Sequence, residues 1–376
     1  MERYDAIVLG LGGMGSAAAM HLASRGAKVL GLERHGPLHD HGSSHGETRL
    51  IRRAYFESPA YVPLLDRSYE LWDALGAAVG EPLLHRAGLA LFGSGSAPGA
   101  RAAARATART FGIDVEELDA PRARERFPMF SVGDDASLLW EPGAGYLRVE
   151  RCHEAHASRA RALGAELRFF EAAGAWSSDG KTARVVTEKG TYEAAELVIT
   201  AGPWAPSLLA ELALPLRVHR VVLYWFEAPA AFDGAPCFAF DDAEGFFYGF
   251  PPLPGSREIK VAEHAPGTLL AQPEDARREV TFADAEKVHA FVARHLEGVR
   301  GPFTRAKTCL YTMTPDEHFV VDRHPRHRNV SIAAGFSGHG FKFAPVIGET
   351  LAELATDGRT RHPVGFLRAD RFSSRT

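Results

Sequence analysis

One short stretch near the N-terminus, Gly10-Leu11-Gly12-Gly13-Met14-Gly15, restricts the fold of this chain more than any other. It follows an apolar run over residues 4–10 and opens an alanine-rich segment, residues 16–25, whose composition is typical of a helix. A strand, a glycine turn and a helix in this order begin a dinucleotide-binding fold. The sequence therefore predicts a Rossmann-like α/β unit at the start of the chain.

The three glycines of this pattern have separate physical roles. Gly10 permits a tight turn, Gly12 lets the backbone approach a pyrophosphate, and Gly15 lets the helix pack closely on the strand. A second strand, residues 28–32, ends at Glu33, where an acidic side chain accepts hydrogen bonds from an adenosine ribose. We predict a nucleotide site here, although Glu33 does not distinguish FAD from NAD.

The bulk properties narrow the class of protein. With 376 residues the chain exceeds the length at which a single core usually stops growing, so we expect two domains. The net charge is -4 and the basic residues are spread along the chain, which argues against nucleic acid or an anionic membrane as the partner. The substrate is therefore expected to be a small molecule.

The cysteines indicate the compartment. Cys152, Cys237 and Cys309 are few, odd in number and far apart, which suits a reducing environment without disulfides. The N-terminus lacks the pattern of a signal peptide, and no apolar run is long enough to span a membrane. We expect a cytoplasmic protein.

Further along, periodicity predicts several helices. Residues 281–296 have an amphipathic pattern, which predicts a helix that covers the outside of a sheet. Another helix, residues 149–164, carries His153 and His156 one turn apart, a spacing that could bind metal. Because no third ligand lies nearby in sequence, we interpret both as surface histidines and predict no metal site.

Four further segments share one pattern of charged and aromatic residues beside glycine or proline. Residues 309–319 read C-x-Y-x-x-x-P-D-E-x-F, and residues 45–52 read H-G-x-T-R-x-I-R. Residues 248–251 read Y-G-F-P, with Lys260 and His264 shortly after them, and residues 338–342 read G-H-G-F-K. With the glycine turn, these segments stand in the order found in one enzyme family.

The chain resembles the family of monomeric sarcosine oxidase and N-methyltryptophan oxidase, flavoenzymes that oxidise secondary amines, from Tyr4 to beyond Glu349. The resemblance implies FAD bound through a thioether to Cys309. It also places the following further residues around the cofactor: Arg34, Ser43, Thr48, Gly338 and Gly340.

The resemblance also implies roles around the substrate. Arg52 and Lys342 would hold its carboxylate, since a guanidinium can bind a carboxylate through two parallel hydrogen bonds. Lys260 would assist the reaction with oxygen, because a fixed ammonium stabilises superoxide. The remaining assignments place pocket or supporting residues near the flavin ring: Arg49, Tyr248, His264, Tyr311 and His339.

The predicted fold is an α/β (α+β) protein of two interleaved domains. The FAD-binding domain would consist of residues 1–82, 148–213 and 318–376, and a β-rich substrate domain of residues 83–147 and 214–317. Active-site residues are expected where the two domains meet.

The resemblance implies oxidation of an N-methyl amino acid by O2 to the primary amino acid, formaldehyde and hydrogen peroxide, by a monomer. We favour sarcosine, while N-methyl-L-tryptophan and a cyclic imino acid such as pipecolate would use the same arginine and lysine. Two other classes stay open at this point: an NAD-dependent dehydrogenase and a non-catalytic nucleotide-binding protein.

Overall fold

The computed structural model of the protein describes residues 3–94 and 99–373. Residues 1–2, 95–98 and 374–376 belong to predicted domain segments and lie outside this description. The described residues form these strands: β1 Arg3–Leu9, β2 Val29–Leu32, β3 Thr48–Ile51, β4 Leu84–His85, β5 Leu89–Ser94, β6 Glu116–Asp119, β7 Ala136–Glu141, β8 Gly145–Arg148, β9 Glu166–Arg168, β10 Ala173–Ser178, β11 Ala183–Thr187, β12 Gly190–Ile199, β13 Arg217–Glu227, β14 Cys237–Asp242, β15 Gly245–Phe250, β16 Glu258–Glu263, β17 Thr268–Leu270, β18 Arg305–Met313, β19 Val320–Arg323 and β20 Val330–Ala334.

The helices are divided between two large sheets. Their bounds are α1 Gly13–Ser24, α2 Val62–Val79, α3 Ala100–Phe111, α4 Ala120–Arg126, α5 Val149–Ala162, α6 Ala205–Leu208, α7 Glu286–His295 and α8 Ala344–Asp357. Helices α1 and α8 contact strands of the first sheet, and α3, α4 and α7 contact strands of the second. Helix α1 packs against both α5 and α8. The glycine turn that precedes α1 is thereby held between packed helices and the sheet.

The first sheet contains eight strands, with the order β10-β11-β12-β1-β2-β9, and β20 pairs with β12 and β19. The pairings of β1 with β2 and β12, of β2 with β9 and of β12 with β20 are parallel. Strand β2 is buried along its whole length, as expected for a parallel strand covered on both faces. The carboxyl ends of β1 and β2 point to one edge, where ligands of such folds bind.

Two glycines show why the turn after β1 needs this residue type. Gly10 has φ +85°, and a Cβ there would lie 2.7 Å from the carbonyl oxygen of Thr200. A Cβ on Gly15 would lie 1.8 Å from the carbonyl oxygen of Gly10, so the first turn of α1 could not pack against the end of β1. The predicted strand, turn and helix are confirmed, and their close approach has a steric cause.

The second sheet contains nine strands, with the order β17-β13-β16-β15-β14-β5-β7-β6, and β18 pairs with β13. Its pairings are antiparallel except for that of β5 with β14. The aromatic core on one face contains Phe92, Phe238, Phe240, Phe247 and Phe291. Helix α7 supplies Phe291 and covers this face.

A third sheet has three strands in the order β3-β8-β4. In the sequence, these strands occur between the segments that form the two larger sheets. Strand β3 carries Arg49, and its pairing with β8 fixes the register Arg49 to Leu147. The protein is thus a mixed α/β molecule with a Rossmann-like sheet interleaved in sequence with a β-rich one, as predicted. The exact division into two domains stays a prediction.

One helix is shorter than its periodicity indicates. The prediction of a helix over residues 281–296 is confirmed for most of its length: a 3-10 turn, Ala283–Ala285, leads directly into α7, which extends over Glu286–His295. The carboxylate of Asp284 accepts hydrogen bonds from the backbone N–H and the hydroxyl of Thr281, as in a capping box at a helix start. Asp284 also forms an ion pair with Arg220.

The described residues contain no helix that is long and apolar enough to cross a membrane.

Candidate functional site

Two adjoining cavities lie between the Rossmann-like sheet and the β-rich sheet. The first cavity runs from the glycine turn past Glu33 to Tyr311, and the second is lined by Arg52, Lys342 and apolar side chains. Arg49, Gly338 and Phe341 line both cavities. A molecule in the first cavity would therefore contact one in the second.

The glycine turn forms one end of the first cavity. A Cβ on Gly12 would have Ser44 Oγ, 3.7 Å away, as its neighbour, so a side chain at this position would enter the cavity. The backbone N–H of Gly13 donates to Ser44 Oγ at 3.1 Å, and α1 begins here with its positive end towards the cavity. These features fit a pyrophosphate group of FAD.

Glu33 lies on the wall of the same cavity. Its Oε2 accepts a hydrogen bond from the backbone N–H of Leu11 at 2.8 Å, and its Oε1 accepts one from that of His35 at 3.0 Å. Burial alone would raise the pKa of Glu33, but these bonds and the nearby His39 lower it. The side chain is therefore held as a carboxylate, and each oxygen keeps a lone pair that could accept from a ribose hydroxyl.

Four other residues predicted to bind the cofactor also line the first cavity: Arg34, Ser43, Gly338 and Gly340. Ser43 Oγ donates to the carbonyl of Leu310 at 2.6 Å, which joins the loop after β2 to β18. Thr48 does not line either cavity. It is buried, and its carbonyl and hydroxyl oxygens accept hydrogen bonds from Lys260.

Cys309 lies behind this wall and is fully buried. Its Sγ is 3.7 Å from Arg49 Nη2, 3.8 Å from the carbonyl oxygen of Ser43 and 4.0 Å from that of Gly42. Gly42, Ser43 and Arg49 all line the first cavity. The thiol thus lies directly beside three residues that line the cavity.

The second cavity has a polar part and an apolar part. Its polar lining consists of Arg49, Arg52, Glu57, Tyr248, His264, His339 and Lys342. Its apolar lining consists of Leu50, Phe56, Leu89, Leu91, Ala239, Phe246 and Phe341, with Gly338 between the two parts. The structure therefore brings together six of the side chains that the sequence assigns to the site, and adds Glu57 to them.

Arg52 is paired with a residue that the sequence analysis did not identify. Its Nη2 donates to both carboxylate oxygens of Glu57, at 2.8 and 2.7 Å, and its Nη1 donates to the carbonyl of Ala54. Burial alone would raise the pKa of Glu57, but Arg52 holds it down at about 2. Glu57 thus engages Nη2 of the guanidinium predicted to bind a substrate carboxylate, and its negative charge opposes the binding of a second carboxylate.

Tyr55 links the two cations of the second cavity. The Arg52 guanidinium lies 4.4 Å from the Tyr55 ring centre and Lys342 Nζ lies 5.1 Å from it. His339 Nε2 contacts the carbonyl oxygen of Glu317 at 3.0 Å, so Nε2 carries the proton. His339 Nδ1 is then the acceptor for the Tyr55 hydroxyl, at 2.6 Å. This chain of contacts orients the Tyr55 oxygen towards Lys342 Nζ, 3.5 Å away.

Lys342 is buried, and its Nζ donates to the carbonyl of His339 at 2.8 Å. Burial lowers the pKa of Lys342 to about 7; the nearby Glu57 raises it and Arg52 lowers it further. A carboxylate ligand stabilises the protonated form, so binding is coupled to the charge of this amine.

We expect the affinity of the holoenzyme for a simple carboxylate to fall with pH. Because only protonated Lys342 attracts the ligand, the Kd for propionate should rise by up to about tenfold per pH unit above pH 7 and level off below it. Burial keeps the pKa of His264 at about 4 and that of His339 at about 3, so neither changes charge in this range. Titration followed by flavin absorbance measures Kd; the Lys342→Met variant should bind more weakly without this slope. A flat Kd between about pH 6 and 9 would contradict the coupling.

Tyr311 and His264 meet at the junction of the cavities. His264 Nδ1 lies 3.5 Å from the Tyr311 hydroxyl, and Tyr311 lines the first cavity while His264 and Tyr248 line the second. A Cβ on Gly338 would lie 2.4 Å from the Tyr311 ring, so the backbone of the G-H-G-F-K segment approaches that ring closely. The predicted pocket residues are therefore adjacent in space.

Lys260 is buried on β16 and lines neither cavity. Its Nζ donates to the carbonyls of Gly46 and Thr48, both at 2.7 Å, and to the Thr48 hydroxyl at 3.2 Å. Burial, and then Arg49, lower the pKa of Lys260 well below its usual value. The amine braces the segment that leads into Arg49, directly behind the cavity wall.

The interpretation of two histidines as surface residues was wrong. His153 and His156 are both buried, and burial lowers both of their pKa values. His153 Nε2 contacts the carbonyl oxygen of Leu11 in the glycine turn, and its ring lines the first cavity. The signal was present in the sequence, because both histidines share a face of α5 with Cys152 and Ala160, and that face packs on α1.

One group of three possible metal ligands occurs in the described part of the chain: Glu211, His324 and His327. Glu211 Oε1 lies 2.7 Å from His324 Nε2 and 3.5 Å from His327 Nε2. Arg326 pairs with the other oxygen of the same carboxylate at 2.6 Å. The charge of Glu211 is therefore balanced within the chain, which explains the cluster as an ion-pair network.

Comparisons with known proteins show which family this chain belongs to. The family model described as FAD dependent oxidoreductase matches residues 5–354. Monomeric sarcosine oxidase of Streptomyces avermitilis is 43% identical over 379 residues, which cover 99% of this chain and 98% of that protein. N-methyl-L-tryptophan oxidase of Salmonella enteritidis is 35% identical over 376 residues, which cover 99% of this chain and 100% of that protein.

A solved structure has the same fold. NikD, an unusual amino acid oxidase essential for nikkomycin biosynthesis, superposes with a TM-score of 0.88 at 25% identity, covering 98% of each chain. The matches extend over both large sheets and both cavities. They confirm the family expected from the sequence motifs: this chain belongs to the FAD dependent oxidoreductase family, as a relative of the monomeric sarcosine oxidases and the N-methyl-L-tryptophan oxidases.

Proposed function

We propose that the protein is an amine oxidase that converts an N-methyl amino acid to the primary amino acid, with O2 as electron acceptor. The observation that carries this proposal is the position of two buried cations, Arg52 and Lys342, in a cavity that adjoins the one suited to FAD. These cations suit a carboxylate at one end of the substrate. The relatives named above support an N-methyl group at the other end.

The cations also determine the protonation state of the substrate. Arg49, Arg52 and protonated Lys342 oppose a further positive charge, so they lower the pKa of a bound amine. The buried imidazoles of His264 and His339 are neutral near pH 7 and add no charge. The substrate is then bound as the free amine, which explains why no dedicated base for its proton stands beside the cavity among the described residues.

The first cavity would hold FAD, and the redox chemistry that FAD would supply is removal of a hydride equivalent from the N-methyl carbon, which leaves an imine, with O2 taking up the electrons as hydrogen peroxide. Arg52 and Lys342 hold the carboxylate, while Tyr248 and His264 bound the space beside the amine. Water then adds to the imine, which releases formaldehyde and the primary amino acid. The residues thus supply position and charge, and exclude bulk water.

Anaerobic mixing of purified holoenzyme with sarcosine and with N-methyl-L-tryptophan tests this proposal. Loss of the oxidised-flavin absorbance with at least one of them is the expected result, followed by formaldehyde and hydrogen peroxide in air. A holoenzyme that no N-methyl or cyclic secondary amino acid reduces would contradict it. Reduction by pipecolate alone would identify a cyclic imino acid oxidase, which has the same requirement for two cations.

We propose further that FAD is attached to Cys309 through a thioether. The support is that Cys309 is buried with its Sγ in contact with Gly42, Ser43 and Arg49, which all line the first cavity. Formation of the S–C bond removes one hydrogen from sulfur and one from a flavin methyl carbon, so O2 must take up two electrons and two protons as hydrogen peroxide.

The Cys309→Ser variant should retain flavin only without a covalent bond. After acid precipitation, we expect flavin in the pellet of the wild type and in the supernatant of the variant. Cys152→Ala is the matched control, since Cys152 is also a buried free thiol but its Sγ contacts the carbonyl of Leu83, which does not line the first cavity. Flavin that stays in the pellet of Cys309→Ser would contradict the attachment.

We also propose that the protein acts as a monomer on small molecules. The expected cytoplasmic location remains a prediction from the cysteine content.

A further inference from the structure

The apolar lining of the second cavity forms a continuous wall. It consists of the side chains of Leu50, Phe56, Leu89, Leu91, Ala239 and Phe246. None of these side chains carries a hydrogen-bonding group, so a charged or polar substituent placed against them would lose its solvation without compensation. An apolar substituent would gain from the same burial.

The wall is built on the β-rich sheet by strand register. Leu91 on β5 pairs with Ala239 on β14, and Ala239 pairs with Tyr248 on β15. Paired residues of neighbouring strands point to the same face of a sheet, so these three side chains stand side by side. Ala239 is the shortest of the three, and the row therefore has a recess between a leucine and the Tyr248 ring.

The recess is connected to the carboxylate-binding end by two aromatic rings. The Arg52 guanidinium lies 3.9 Å from the ring centre of Phe56, and the Phe56 and Phe246 ring centres are 5.2 Å apart. Both phenylalanines are half-buried and line the cavity. A substrate whose carboxylate is held by Arg52 thus has this wall next to the substituents of its Cα.

We propose that the preferred substrate carries an apolar side chain or ring on Cα, and that Ala239 sets the size accepted. The inference rests on the proposed function and specifies its substrate class. Sarcosine, which has two hydrogens on Cα, is bound by the same cations but leaves the wall and the recess unfilled. It is therefore a poorer substrate than a larger apolar secondary amino acid.

The first test compares kcat/KM of the wild-type holoenzyme for sarcosine, N-methyl-L-leucine and N-methyl-L-aspartate. We expect N-methyl-L-leucine to exceed sarcosine by at least about tenfold, because each methylene in a fitted apolar pocket contributes to discrimination. N-methyl-L-aspartate should be the poorest of the three. Turnover of sarcosine with a kcat/KM equal to or above that of N-methyl-L-leucine would overturn this inference and leave the proposed function intact. Turnover of none of the three, and of neither N-methyl-L-tryptophan nor pipecolate, would overturn both.

The second test fills the recess. In Ala239→Met, the ratio of kcat/KM for N-methyl-L-leucine to that for sarcosine should fall at least about tenfold, since the new side chain occupies the space of the substrate side chain. Leu139→Met is the matched control. Leu139 lies on β7, the neighbour of β5 opposite to β14, and it pairs with Leu91 there. Because Leu139 does not line the cavity, the ratio should stay within about twofold.

A smaller substitution at the same position keeps the test possible if Ala239→Met does not fold. Ala239→Val adds two methyl carbons and should lower the same ratio by an intermediate factor. The amount of bound flavin shows whether each variant is folded. A ratio that is unchanged in flavin-loaded Ala239→Met or Ala239→Val would overturn the role of Ala239.

Discussion

Replacement of Arg52 by methionine is expected to lower kcat/KM for an N-methyl amino acid by about 100- to 10,000-fold. A hydrogen bond to a charged group contributes about 1.5–3 kcal/mol, and a guanidinium makes two of them to a carboxylate. Each 1.4 kcal/mol or so of lost transition-state binding reduces the rate tenfold. Steady-state kinetics with formaldehyde detection measures the loss, and flavin content shows that the variant is folded.

Two further variants test whether the loss comes from the Arg52 guanidinium itself or from a change in its surroundings. Arg53→Met removes the neighbouring arginine, whose side chain is 41% exposed and pairs with Asp66, so kcat/KM should stay within about threefold. Glu57→Gln removes the charge that holds Arg52 and should lower KM, because the substrate carboxylate no longer competes with an internal one. An Arg52→Met enzyme as active as Arg53→Met would show that the carboxylate binds elsewhere.

The second large effect is expected at Lys260. The Lys260→Met enzyme should still lose its flavin colour with substrate under anaerobic conditions, whereas reaction of the reduced enzyme with O2 should slow by about 100- to 1,000-fold. The reason is that protonated Lys260 supplies a positive charge behind Arg49, where negative charge would develop on oxygen. Burial disfavours this charge, but the three oxygen acceptors around Nζ, the carbonyls of Gly46 and Thr48 and the Thr48 hydroxyl, favour it. Stopped-flow measurement of the two half-reactions separates these effects.

The contacts of Lys260 provide a control for a merely structural role. Thr48→Val removes the hydroxyl contact at 3.2 Å but leaves the carbonyl contacts and the charge. We expect its reaction with O2 to stay within about threefold of the wild type. If both variants slowed both half-reactions equally, Lys260 would act as a brace for residues 46–48 and not on oxygen.

Much of the site could be predicted because its residues occur in short local patterns. Gly10, Gly12, Gly15 and Glu33 follow from the steric and hydrogen-bonding demands of one turn between a strand and a helix, and those demands act over a few residues. Arg52 and Lys342 were assigned from the resemblance of two short segments to one enzyme family, and their side chains suit carboxylate binding. Neither inference requires knowledge of distant contacts.

Other features depended on contacts that are remote in sequence. The surface interpretation of His153 and His156 was wrong because helix α5 is covered by α1, and a spacing of three residues does not show which side is covered. The helix predicted from residue 281 becomes regular α-helix only at Glu286, after a 3-10 turn in which Asp284 contacts Thr281 and Arg220. For the two histidines, a tertiary contact decided what the local spacing left open.

The sequence by itself determined the Rossmann-like start of the fold, the interleaved β-rich part and the family of flavin oxidases, since glycine turns and strand patterns are local. Only the tertiary structure decided that Arg52 is already paired with Glu57, that Lys260 stands behind the cavity wall, and that Ala239 leaves a recess beside Tyr248. These three facts depend on which side chains meet across strands and loops. Charge pairing, burial and cavity shape are properties of such meetings and not of any single segment.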